Sequence, residues 1–164
     1  MTMELYPWDL EENVEDAFVA YLKTKDSYNS MIIPARSQVE ASYPLIVVEA
    51  GESDNTDDSK RIDGKRQMVV GVAIVTEALD YNGTAGSPEL NQKARELHRG
   101  IKTQVIGWLA GNDTHEGLNA MNNQGVEFSK AYIGLQSRDA GDGKLTTTMV
   151  LDVIAQVKLI EEEL

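Results

Sequence analysis

The sequence predicts one α+β domain, with two main helices packed on one face of a mostly antiparallel or mixed sheet of four to five strands. Two segments repeat apolar residues at helical spacing, and several shorter segments alternate in polarity or are rich in β-branched residues. These segments follow the order helix, two or three strands, long helix, two strands. The length of 164 residues suits one core, so residues 1–164 are assigned to a single domain.

The first helix is predicted from Trp8 to about Lys23. Apolar side chains recur every four residues and form one stripe. Acidic residues occupy the early turns, where the partial positive charge of the helix N-terminus favours them. The stripe comprises Leu10, Val14, Phe18 and Leu22, and the acidic residues are Glu11, Glu12, Glu15 and Asp16.

The segments that follow predict part of the sheet. Residues 25–42 have little periodicity, and Ile32 and Ile33 before Pro34 allow only a short strand or an extended connection. Residues 43–49 are rich in β-branched side chains and predict a buried strand. Residues 65–77 carry apolar side chains at both parities, which is typical of a strand inside a sheet.

Between these two strands, residues 51–64 form a polar, turn-rich segment that predicts a mobile acidic loop. Asp54, Asp57 and Asp58, near Asp63, could offer oxygen ligands to a hard cation. Their spacing does not match the calcium-loop pattern or its terminal glutamate. A solvated acidic loop is therefore the favoured interpretation.

The long helix is predicted to begin at residues 87–89, where Ser, Pro and Glu supply an N-cap, a first-turn proline and an early acid, and to end near Gly111. Its apolar stripe is expected to face the core, which gives Trp108 a core role. His98 lies in the basic part of this helix, so a solvated histidine is favoured over a catalytic one. The stripe comprises Leu90, Ala94, Leu97, Ile101, Val105 and Trp108.

The last third predicts a long antiparallel hairpin. Residues 145–157 alternate almost without interruption, whereas residues 126–135 place apolar side chains at both parities and leave the facing of that strand open. A turn rich in Gly and Asp is predicted at residues 138–144. Residues 161–164 form a short acidic C-terminal tail that is predicted to fray.

The residues that could carry chemistry form no catalytic, cofactor or metal motif. The chain has no cysteine, and His98 and His115 lack the close spacing of a zinc motif. No serine lies in a nucleophile elbow. Residues 83–88 lack the lysine of a phosphate-binding loop, so a helix-capping connector is favoured there over an anion cradle. We therefore expect a non-enzymatic protein with no cofactor.

The chain is strongly acidic, with 27 Asp and Glu against 15 Lys and Arg and a formal net charge of -12. Binding nucleic acid through its phosphates needs clustered cations, so this charge argues against it. Residues 1–63 hold 14 acidic and 5 basic residues, whereas residues 64–164 hold 13 and 10. No apolar run approaches the roughly 20 residues that span a bilayer, so no membrane contact is expected.

The sequence resembles the tail terminators of tailed bacteriophages and related tail-completion, or head-to-tail joining, proteins. Three segments carry the resemblance: residues 43–49, the helix at residues 90–99, and residues 146–153 at the end of the predicted hairpin. It spans roughly Trp8 to Val157 and lies in element order, size and texture, not in a diagnostic motif.

This resemblance implies a structural virion protein of the tail or neck, assembled in the host cytoplasm. It implies a homo-oligomeric ring, commonly a hexamer, that caps the tail tube, ends tube polymerisation and joins the tail to the head connector. The implied partners are the tail tube protein and head-tail connector proteins, and DNA passes without specific binding. Opposite charges would then meet between ring neighbours. The candidate contact residues are Glu11, Glu12, Glu15, Asp54, Asp57, Asp58, Arg95, Arg99 and Lys102.

Three alternatives stay open at this point. The chain could be a neighbouring neck or head-completion component, or an acidic adaptor that covers a basic partner. It could also be a small hydrolase or transferase that uses carboxylates, which a deep pocket with convergent, pKa-shifted acids would favour.

Overall fold

The computed structural model describes residues 10–35, 44–54, 65–77, 88–111, 114–120, 126–141 and 144–157. These residues form three helices and five strands in one compact domain, which confirms the predicted α+β class. The helices are α1 (Leu10–Lys23), α2 (Pro88–Leu109) and α3 (Thr114–Ala120), and a single 3-10 turn covers Asn29–Met31. The strands are β1 (Ile32–Pro34), β2 (Leu45–Asp54), β3 (Lys65–Glu77), β4 (Val126–Gly141) and β5 (Lys144–Val157).

The five strands form one mixed sheet in the order β1-β2-β3-β5-β4. The short β1 runs parallel to β2, and all other neighbours are antiparallel. The last strand, β5, pairs with β3 along its whole length and with β4 in the predicted hairpin. The C-terminal strand therefore lies inside the sheet and joins the early part of the chain to the late part.

The hydrophobic core lies on one face of the sheet, which we call the inner face. Alternate side chains of the two central strands point there and are at most 1% exposed. All three helices contribute residues to this core, so the molecule has a helix layer on one side and the sheet on the other. The inner-face residues of these strands are Met68, Val70, Val72 and Ile74 in β3, and Met149, Leu151, Val153 and Ala155 in β5.

Helix α1 buries the stripe that its sequence predicts, since Leu10, Val14, Phe18 and Leu22 are all at most 2% exposed. The Phe18 ring packs edge-on against Phe128 of β4, with ring centroids 5.9 Å apart. One of the predicted acidic residues is internal, because Glu15 is buried and its Oε2 accepts a hydrogen bond of 3.1 Å from the backbone N–H of Ala50 in β2.

Helix α2 buries Ala94, Ile101 and Val105 of its predicted stripe but not Leu97. Leu97 is 52% exposed, whereas the neighbouring His98 is only 8% exposed, so the expectation of a solvated histidine is wrong. Trp108 lies at the edge of the core and packs against the ring of Tyr28 at 5.9 Å. Among residues 92–109, the buried side chains of the helix are Ala94, His98, Ile101, Val105 and Leu109. The side chain of Leu90, the first member of the predicted stripe, lies outside the described residues.

Two irregularities in β4 explain its mixed parity in the sequence. The register with β5 shifts between Phe128 and Lys130 and again between Ile133 and Leu135. Each bulge moves the following residues to the other face of the sheet. Ala131 is buried as a result, and its neighbour Tyr132 is 51% exposed.

The first bulge is held by a side chain from α3. The Asn119 amide accepts a hydrogen bond of 2.7 Å from the N–H of Phe128 and donates one of 2.8 Å to the carbonyl of the same residue. It thereby imitates a neighbouring strand at the edge of the sheet. Edge strands otherwise expose unpaired backbone groups, so this contact covers one position of β4.

Several predicted boundaries were too short. Strand β2 continues through Asp54 into the predicted loop, and β4 continues through Gly141 into the predicted turn. The rest of the loop, with Asp57 and Asp58, lies outside the described residues. The same holds for Trp8, at the start of the predicted first helix, and for the acidic tail.

Gly117 provides a test of the packing between α3 and α1. A Cβ at this position would lie 2.5 Å from Cε1 of Tyr21, whose hydroxyl donates to the carbonyl of Trp108 at 3.3 Å. Gly117→Ala should therefore lower the free energy of unfolding by about 1–3 kcal/mol through overpacking. Urea denaturation measures this change.

Gly100→Ala is the matched control, because a Cβ at that exposed position of α2 would meet no side chain or neighbouring element within 4 Å. The alanine should raise the free energy of unfolding by up to about 1 kcal/mol through helix propensity. Equal gains in both variants would contradict the packing described for Gly117.

Candidate functional site

A cleft of about 450 Å³ lies between α2 and the β4–β5 hairpin. Its lining combines four cationic side chains with a histidine, two threonines and a leucine, and includes no carboxylate among the described residues. Helix α2 supplies one wall, and the two strands supply the other. The lining residues are Arg95, His98, Arg99, Lys102, Arg138, Leu145, Thr146 and Thr147.

The spacing of the basic residues on α2 explains why they meet. Arg95 and Arg99 are four residues apart and Lys102 follows three later, so all three project from the same side of the helix. Arg138 comes from β4, where it lies opposite Thr147 of β5 in the strand register. The cleft therefore gathers cations from two elements that are distant in sequence.

His98 connects the floor of the cleft to the sheet. Its Nδ1 lies 2.9 Å from the hydroxyl oxygen of Thr76 in β3, and its Nε2 lies 2.7 Å from that of Thr147 in β5. Both threonines are buried. In the neutral ring one nitrogen donates and the other accepts, so a hydroxyl group, which can do either, suits both positions.

The surroundings of His98 favour this neutral form. Burial of the imidazole lowers its pKa below the ordinary value of 6.5, and the charge of nearby Lys102 lowers the pKa further. The other cations that line the cleft are Arg95 and Arg99 on the same helix and Arg138 on β4. A protonated histidine here would add a fifth positive charge to the group.

The four cations are accessible from solvent. Arg95, Arg99 and Arg138 are exposed, and Lys102 is half-buried. None of them forms an ion pair or hydrogen bond with another described residue. Chemically, the cleft offers hydrogen-bond donors that cannot act as acceptors.

A second surface lies on the outer face of the sheet, opposite the helix layer. Its centre is apolar and half-buried, and Tyr132 of β4 stands on it with 51% of its surface exposed. The exposed carboxylate Asp152 lies within this surface, between Val69 of β3 and Tyr132 in the strand register, and Lys130 lies two residues before Tyr132 on β4. The apolar residues are Val69, Ala73, Val75, Val150 and Ile154.

The structure brings together the three predicted basic residues, Arg95, Arg99 and Lys102, in the cleft. It leaves Glu11 and Glu12 exposed in the first turn of α1, while Glu15 is used inside the fold. Asp54 ends β2, and Asp57 and Asp58 lie outside the described residues.

Sequence reasoning missed Arg138 and the role of His98. The register of the hairpin could have indicated Arg138, because it places that residue opposite Thr147. No pattern in the sequence indicates the hydroxyl partners of His98, since Thr76 lies 22 residues and Thr147 49 residues away along the chain.

The lowered pKa of His98 predicts a dependence of stability on pH. In the folded state the ring resists protonation, whereas in the unfolded chain it titrates near 6.5. Its contribution is therefore complete above pH 6.5 and is lost as the pH falls below that value. At pH 7.5, His98→Gln should lower the free energy of unfolding by about 1–3 kcal/mol, because two buried hydroxyls lose a partner. At pH 5 the loss should be smaller.

The measurement is chemical denaturation at both pH values. His115→Gln is the control, because this histidine lies on α3 away from the cleft and its replacement should keep the pH dependence of the wild type. An identical slope of stability with pH in the wild type and in His98→Gln would contradict the assignment.

Comparisons with known proteins identify no family for this chain. Within the described ranges, no group of three or more His, Cys, Asp or Glu side chains is arranged to hold a metal ion. No helix in that part of the chain is long and apolar enough to cross a membrane. No protein-family model matches the chain, and no curated protein is significantly similar to it.

Proposed function

We propose that this chain is a ring-forming structural subunit of a bacteriophage tail, which caps the tail tube, ends its polymerisation and joins it to the head connector. The observation that carries the proposal is the position of two exposed hydrophobic side chains on different elements, on opposite sides of the sheet. Tyr132 lies on the outer face of the sheet, and Leu97 lies on the helix layer. The tail-terminator resemblance of the sequence supplies the biological setting.

Two opposite surfaces favour a ring over a simple pair. A two-fold dimer joins one surface to its own copy, whereas a head-to-tail contact joins two different surfaces and closes into a ring when the rotation allows it. The apolar centre around Tyr132 would meet the helix layer around Leu97 of the next copy. Removing these side chains from water would stabilise each contact of the ring.

The acidity of the chain suits this role. A net charge of -12 disfavours binding of the DNA that would pass through such a ring. The proposed partners are the tail tube protein on one side and the head-tail connector proteins on the other, and the proposed location is the neck of the virion. None of these partners requires a catalytic group.

Tyr132→Asp should prevent assembly. The substitution places a charge in the centre of the proposed contact, and loss of a central aromatic residue commonly costs about 2 kcal/mol or more per interface. We expect the wild type to sediment as a closed oligomer and the variant as a monomer in analytical ultracentrifugation. Leu97→Asp should have the same effect, because it changes the other surface of the same contact.

Gln136→Asp is the matched control, since it adds the same charge to an exposed residue of the same strand, away from the outer face. It should leave the oligomer intact. A monomeric wild type that forms no rings and does not bind the ends of tail tubes in electron micrographs would overturn the proposed function.

A further inference from the structure

We propose that the cleft between α2 and the β4–β5 hairpin binds a compact oxyanion of the phosphate class, carrying at least two negative charges. This inference concerns a ligand site and is independent of ring formation.

The lining of the cleft selects for an anion. Arg95 and Arg99 on α2 face a wall that includes Arg138 of β4, so cationic groups approach the cavity from two sides. Guanidinium and ammonium groups only donate hydrogen bonds, and none of the described residues that line the cleft is a carboxylate. A ligand that accepts many hydrogen bonds and carries negative charge would satisfy them.

The dimensions and the chemistry favour a phosphate-type group. The volume of about 450 Å³ lies within the roughly 300–1,000 Å³ of typical small-ligand pockets. Arginine binds phosphate oxygens with two parallel hydrogen bonds, a geometry that lysine cannot offer. Four cations around one cavity exceed what a single carboxylate could balance, whereas a di- or triphosphate group matches their charge.

His98 fixes the two walls of the site against each other and can report the binding of an anion. Its hydrogen bonds to Thr76 and Thr147 fix the helix against the hairpin, so the cationic side chains start from a rigid scaffold. Nearby positive charge and burial lower the pKa of the ring in the free protein. An anion bound beside it would offset the charge of Lys102 and raise that pKa again.

The test is titration of the protein with tripolyphosphate at an ionic strength of about 0.15 M, followed by calorimetry. We expect saturable binding of one tripolyphosphate per chain. Arg95→Gln and Arg138→Gln should each weaken binding by about tenfold or more, because each removes a charge-assisted contact from one wall of the cleft. Both residues are exposed, so thermal unfolding should stay close to that of the wild type.

Lys93→Gln is the matched control, since Lys93 is an exposed cation of the same helix that does not line the cleft. It should change the affinity by less than about twofold, as expected for a distant surface charge screened by salt. NMR of the histidine ring should show a rise in the pKa of His98 on saturation with tripolyphosphate.

Further titrations separate the sources of the anion. Tighter binding of ATP than of tripolyphosphate would assign the site to a nucleotide, and equal binding would assign it to the phosphate chain alone; both support the proposal. Absence of saturable binding, or equal weakening by Lys93→Gln and Arg95→Gln, would overturn it. A third result would also overturn the proposal: the wild type binds no tripolyphosphate, and Arg95→Gln no longer forms oligomers. The cleft would then hold an acidic surface of a second copy.

Discussion

The seating of His98 between two strands is the constraint on which the arrangement of this protein depends. Helical residues follow one another at about 100°, so placing residue 98 on the sheet, in place of residue 97, fixes the rotation of the whole of α2. That rotation turns Leu97 to solvent and directs Arg95, Arg99 and Lys102 toward the hairpin. Burying an imidazole without hydrogen-bond partners would destabilise the fold relative to burying a leucine at the same place. The hydroxyls of Thr76 and Thr147 supply those partners and so make this rotation possible.

The bulges of β4 have a corresponding effect on the other side of the sheet. Without the register shift after Phe128, the alternation of β4 would place Ala131 outside and Tyr132 in the core. The bulge instead exposes the tyrosine and buries the small residue beside it. Asn119 holds Phe128 through both of its backbone groups, which stabilises the shifted register on the side of β4 where no described strand pairs with it. The exposed aromatic surface is thus built by backbone geometry.

The fold was largely predictable, because the apolar positions of α1, β3 and β5 obey simple periods that local geometry imposes. The stripe from Leu10 to Leu22 and the alternation after Leu145 were both confirmed. The prediction was wrong at Leu97, because its hydrophobicity suggested burial. The hydrogen bonds of His98 to two distant residues instead turn His98 to the sheet and Leu97 to solvent. The candidate site was predicted only in part: helical spacing groups Arg95, Arg99 and Lys102, but Arg138 joins them through strand pairing across the hairpin. The bulges of β4 could not be predicted either, because their only trace in the sequence is that apolar residues occur at both parities of the strand.

The two surfaces can act without interfering with each other. Tyr132 and the cleft lie on different sides of the sheet, and on α2 itself Leu97 and Arg99 are two residues apart and project in nearly opposite directions. A neighbour packed over Leu97 would therefore leave the cleft open. Charge alone would work against this separation, because a strongly acidic second copy would be repelled over most of the surface and attracted at the cations of the cleft. A small anion bound in the cleft would neutralise that attraction. If assembly is unchanged when the cleft is filled, the contact between copies must therefore depend on the apolar surfaces alone.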